Sequence, residues 1–87
     1  MNPSNFTNIA SATTTTVKSG RGVLKAIIIN TTAAGAITIY DNTSAAGTKI
    51  ATIKASVVEQ EFDYNCRFMT GLTIVTAAAS DITVIWE

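Results

Sequence analysis

The chain has 87 residues, 47% of them hydrophobic and only 14% charged, with six Lys and Arg balancing six Asp and Glu and no histidine. The single cysteine, Cys66, excludes an internal disulfide, and one thiol without a histidine makes no tetrahedral zinc set. Scattered charges give no electrostatic footprint for nucleic acid, and no apolar run nears the ~20 residues that span a bilayer.

Residues 1–12 are polar, carrying Asn2, Pro3, Asn5 and Asn8. They have neither the basic nor the apolar region of a secretory leader. They read as a flexible N-terminal arm, with Phe6 and Ile9 as its anchoring side chains, ahead of a single domain over residues 13–87. Thr13–Thr16 is a β-branched run that continues through Val17 to Lys18 as a first strand, and Ser19-Gly20-Arg21-Gly22 is a polar loop. Val23–Asn30, Ala36–Asp41, Lys49–Ala55, Val57–Tyr64, Leu72–Thr76 and Ile82–Glu87 follow as short segments rich in Ile, Val, Thr and aromatics. Ile37 and Ile39 alternate with Thr38, and Ile82, Val84 and Trp86 alternate with Thr83 and Glu87.

No window keeps a helical period, so the fold class is all-β: a small antiparallel β-sandwich, jelly-roll-like or Greek-key, of about seven or eight short strands. Asn30-Thr31-Thr32-Ala33-Ala34-Gly35 is echoed by Asn42-Thr43-Ser44-Ala45-Ala46-Gly47, and both copies read as hairpin loops. Val23–Asn30 is apolar on both faces, with Val23, Ile27 and Ile29 on one and Leu24, Ala26 and Ile28 on the other. Such a strand belongs between two layers. A domain this short has a thin core and gains burial from disulfides, metals or partners. With disulfide and zinc gone, self-association or docking on a larger partner remains, and Val23, Ile27, Ile29 and Trp86 are the candidate oligomer interface.

The sequence offers little chemistry. There is no His to act as a general base or to activate Cys66, and Gly20-Arg21-Gly22 lacks the rest of a phosphate loop. Glu59, Glu61 and Asp63 would share one face of a strand, opposite Gln60, Phe62 and Tyr64. Same-strand carboxylates do not surround a Ca²⁺ ion, so an acidic strand edge is the plainer reading. Trp86, Phe62, Phe68 and Tyr40 read as core or interface anchors. No enzyme, cofactor or metal is expected.

From about Gly20 onward the chain resembles small structural proteins of tailed bacteriophages. The resemblance is carried by Gly22-Val23-Leu24, Ile27-Ile28-Ile29-Asn30-Thr31, Ile37-Thr38-Ile39-Tyr40-Asp41-Asn42-Thr43, Gly47-Thr48-Lys49-Ile50, Phe68-Met69-Thr70-Gly71-Leu72-Thr73-Ile74 and Asp81-Ile82-Thr83-Val84-Ile85-Trp86-Glu87. It implies a capsid decoration, or cement, protein: a homotrimer on the virion surface, made in the host cytoplasm, with the major capsid protein as partner and no nucleic acid or membrane. The alternative is a head-fibre, tail-fibre or tail-accessory domain that binds a host surface component through the loops at Ala33-Ala34-Gly35 and Ala45-Ala46-Gly47.

Overall fold

The computed structural model describes residues 4–87, so Met1, Asn2 and Pro3 of the expected arm lie outside the described residues. Eight strands follow in chain order: β1 (Asn5–Ile9), β2 (Thr13–Ser19), β3 (Gly22–Thr31), β4 (Ile37–Asp41), β5 (Thr48–Ile53), β6 (Glu61–Phe68), β7 (Gly71–Thr76) and β8 (Asp81–Trp86). They form two four-stranded sheets of order β1-β8-β3-β6 and β2-β7-β4-β5. All pairings are antiparallel.

The order is that of a jelly roll. β4 pairs β5, β3 pairs β6, β2 pairs β7 and β1 pairs β8, so the chain is one long hairpin with its tip between β4 and β5. Winding that hairpin sends successive rungs to alternate sheets. Leu24, Ile27, Ile29, Phe68, Ile82 and Val84 from the first sheet meet Ile37, Ile39, Ile53, Leu72 and Ile74 from the second, all nearly inaccessible to solvent. The side chains between them on each strand face outward by the period-two rule.

Three sequence expectations change here. Asn5–Ile9 is an edge strand on β8, not a free arm, and Ile9 is only 4% exposed within the core. Residues 57–60 are loop, with Val57 tucked into the core, and the strand expected at Val57–Tyr64 instead runs Glu61–Phe68. Of the two echoed loops only Asn42–Gly47 closes a hairpin, because β3 and β4 lie in different sheets.

β3 also departs from simple alternation. Leu24 pairs Trp86 and Ala26 pairs Ile85, so Lys25 is an extra residue against β8. That bulge places Leu24 on the same inner face as Ile27 and Ile29, and leaves Val23, Ala26 and Ile28 outside the core cluster. Replacing Ile27 with Ala is expected to lower stability by ~2–5 kcal/mol. Ile28→Ala, measured by denaturant unfolding at a concentration where the chain is monomeric, is expected to cost under ~1 kcal/mol. Equal costs would contradict this facing.

Candidate assembly face

The two outer faces of the sandwich differ in chemistry. On the β2-β7-β4-β5 sheet the register brings Thr14, Val75, Thr38 and Thr52 into one row and Thr16, Thr73 and Tyr40 into the next. The hairpin tip folds back over this surface. Thr73 Oγ1 donates to the Asn42 carbonyl at 2.8 Å, and Thr16 Oγ1 donates to the Thr43 carbonyl at 3.2 Å. Gly71 is required beneath the tip, since a Cβ there would sit 2.9 Å from Thr43 Cγ2 and 3.0 Å from the Asn42 carbonyl oxygen. Within the tip Asn42 Oδ1 accepts from Thr43 N–H at 2.8 Å, Asn42 Nδ2 donates to the Ala46 carbonyl at 2.8 Å, and Gly47 closes the turn at φ +84°.

Asp41 fastens this arrangement. Its carboxylate accepts the backbone N–H groups of Met69 at 3.0 Å and Thr70 at 2.8 Å, and reaches that of Gly71 at 3.4 Å. The N–H groups of Thr70 and Met69 chiefly, then that of Gly71, hold the Asp41 carboxyl below its ordinary value against the opposing effect of burial. The two most distinctive sequence segments, Ile37–Thr43 and Phe68–Ile74, are therefore the two halves of one structural clasp.

The outer face of the β1-β8-β3-β6 sheet is apolar. Register places Phe6, Ile85, Ala26 and Asp63 in one row and Asn8, Thr83, Ile28 and Glu61 in the next. Beyond Phe6, Ser4 Oγ donates to Glu87 Oε2 at 2.8 Å, and Glu87 exchanges backbone bonds with Val23, which pairs Arg67 on its other side. The accessible apolar side chains are thus Val23, Ile28, Ile85 and Phe6, with Ala26 nearly covered among them, and the rim is Ser4, Asn8, Thr83, Glu87, Arg67, Asp63 and Glu61. Phe6 is 71% exposed. An apolar centre within a polar rim is the anatomy of a protein interface.

Charge is segregated along β6. At one end Glu61 lies beside Asp63, which raises the Glu61 carboxyl above its ordinary value, first by accepting a hydrogen bond from its protonated form and then by its charge. At the other end Arg67 joins Lys18 and Arg21 around an open groove of about 490 Å³, with Gly22, Val23 and Glu87 completing its walls. Glu59 stands apart on the preceding loop. Its carboxylate accepts the Thr32 N–H at 3.1 Å, which, followed by its own backbone N–H, lowers the pKa of the Glu59 carboxyl below the ordinary value. Among the described residues no three His, Cys, Asp or Glu side chains come together in metal-binding fashion. Burial first, then the Asp41 charge, pushes the Cys66 thiol up, away from its reactive thiolate form.

The residues singled out by sequence divide sharply. Phe6 and Val23 lie on the apolar outer face, whereas Ile9, Ile27 and Ile29 fill the chain's own core, where no partner can reach them. Trp86 packs against that core from its end, and its Nε1 donates to Thr7 Oγ1 at 3.1 Å. Ile28, Ile85 and the Lys18–Arg21–Arg67 groove went unmarked, because only strand order and the Lys25 bulge bring them together.

The fold and face define a single jelly-roll β-sandwich domain. No protein-family model and no curated protein matches the sequence. Among solved structures, the chain is similar to the Drosophila NLP core, a crystal structure described as giving insight into pentamer formation and histone binding. The TM-score is 0.61 over 99% of this chain and 97% of that one, at 10% identity. At that identity the similarity shows the fold alone.

Asp41→Asn keeps the side chain's shape but weakens the charge-assisted bonds, with an expected loss of ~1–2 kcal/mol for so exposed a group. Because folding lowers this carboxyl, its contribution is present above about pH 4 and is lost as pH falls towards the folded value. Urea unfolding between pH 3 and 7, as chosen test conditions, is expected to show a wild-type advantage over Asp41→Asn that shrinks on acidification. An advantage that is constant or grows would refute the clasp.

Proposed function

We propose that this chain is a structural subunit of a tailed-phage virion, a jelly-roll domain that self-associates and decorates the capsid with the major capsid protein as its partner. The observation that carries the self-association is the accessible apolar group of Val23, Ile28, Ile85 and Phe6 on one face of the sandwich, opposite a threonine-rich face. A small domain that leaves such a surface open in isolation gains burial by covering it. The virion role rests on the sequence resemblance, whose segments Ile37–Thr43 and Phe68–Ile74 span the clasp that shapes this fold.

The similar Drosophila domain is described in terms of pentamer formation, which supports oligomer-building as a use of this architecture. Histone binding, also part of that description, finds no support in the balance of six acidic and six basic residues here. Decoration suits such a domain because many copies on a repeating shell bind with avidity, so each contact can be modest. The fibre alternative keeps its tips, with Ala34 and Ala45-Ala46-Gly47 exposed, but they lack the aromatic and charged side chains that usually supply binding energy.

Quantitative mass spectrometry of purified particles is expected to find the chain in fixed ratio to the major capsid protein. Stripped shells are expected to regain heat resistance when the purified chain is added back. Absence from particles, or a few copies each, would overturn the proposal.

A further inference from the structure

We propose that a second copy of this chain docks face to face on the outer surface of the β1-β8-β3-β6 sheet across a two-fold axis, each copy seating Glu61 and Asp63 in the other's Lys18–Arg21–Arg67 groove. This deepens the self-association reading above and is independent of where on a virion the protein sits.

The argument is one of charge and shape. Three of the chain's six cations line one groove, at the Arg67 end of β6. The Glu61–Asp63 pair lies toward the opposite end of the same strand, Asp63 about 13 Å and Glu61 about 20 Å from Arg67 at ~3.3 Å per residue. Both ends sit at the rim of the apolar surface, so a flat partner that covers the centre meets both. In the free chain the two neighbouring carboxylates repel one another, which raises the Glu61 carboxyl above its ordinary value. A cation brought by a partner relieves that repulsion.

Only certain symmetries match these charges. A two-fold axis lying in the interface and crossing the strands near the middle of β6 reverses strand direction while keeping each strand over its own counterpart. The carboxylate end of β6 then lies over the partner's Arg67, and the reverse contact forms at the other end. Ile28 then lies over the second copy's Val23, Ile85 meets its counterpart near the axis, and Phe6 closes the edge. An axis parallel to the strands would instead lay β6 over the partner's β1, whose outward side chains Phe6 and Asn8, like Ser4 just before it, are neutral. Two sheets packed with aligned strands about 10 Å apart and crossing near 30° are the ordinary geometry of such an interface.

The interface is isologous, and therefore closes at two copies. A homotrimer, expected from the sequence resemblance, would need a different surface.

Charge reversal in two complementary variants tests the proposal. One carries Glu61→Lys and Asp63→Lys, the other Arg21→Glu and Arg67→Glu; all four positions are solvent-exposed, and circular dichroism checks that both variants are folded. Light scattering is expected to give a dimer mass for the wild type, and each variant alone is expected to dissociate at least ~10-fold more readily. An equimolar mixture is expected to recover the dimer, because both contacts are again of opposite sign. A monomeric wild type, a trimer or pentamer mass, variants that associate as well as wild type, or a mixture that stays dissociated would each overturn the two-fold interface. Copy number on particles is read separately, so failure here and failure of the decoration role are distinguishable.

Discussion

Side chains alternate along a strand, so Leu24 and Ile27 can share an inner face only if one residue between them drops out of register. Lys25 is that residue. β6 answers with its own irregularity, setting Tyr64 and Asn65 opposite Lys25, with Asn65 in the left-handed region at φ 49°. Without the bulge, either Leu24 or the Ile27–Ile29 pair would leave the core, at several kcal/mol. With it, three of the four largest aliphatic side chains of β3, Leu24, Ile27 and Ile29, point inward, and the residues left outside are Val23, Ala26 and Ile28. The apolar outer face is thus a by-product of the same register that builds the core. The position and identity of that face follow from one inserted residue.

The second constraint lies at the hairpin tip. A jelly roll must keep its nested rungs wound, and the β4–β5 connection is the point about which they wind. Asp41 ties that tip to the β6–β7 turn, while Asn42 and Thr43 tie it to β7 and β2. Those bonds join strands distant in sequence, at the expense of fixing only a few side chains. The most recognisable segments of the chain are accounted for by this clasp. Their distinctiveness belongs to the topology first, and any partner contact must be argued from other residues.

Much of this was legible from the residue pattern, because half-buried strands advertise themselves through β-branched alternation. Ile37–Asp41, Leu72–Thr76 and Ile82–Trp86 lie almost where that alternation places them. β1 was hidden because an edge strand needs only one inward anchor, and Asn5–Asn8 carry the polarity of a linker around Ile9. Val57 and Val58 misled in the opposite sense. Val57 fills the core from a loop and Val58 is exposed, so β-propensity there serves packing and not pairing. The echoed loops could not be told apart, since composition encodes a reversal but not the sheet in which the next strand pairs. Bulges were illegible for the same reason: register is a property of two strands, and a sequence displays one at a time. Hence Ile27 and Ile29 read as interface residues when they are core, while Ile28 and Ile85 escaped notice.

The neutral net charge gains meaning once the charges have positions. Zero net charge permits copies to approach without long-range repulsion, but by itself favours indiscriminate association. Here the cations and carboxylates are parted to opposite ends of β6, on either side of an apolar centre. The apolar area supplies attraction without direction, and the separated charges penalise every arrangement that brings like ends together. Moving the acidic pair next to Arg67 would leave composition, net charge and core unchanged, yet remove that orientational preference. What distinguishes this surface from a merely sticky one is therefore the distance between its charges.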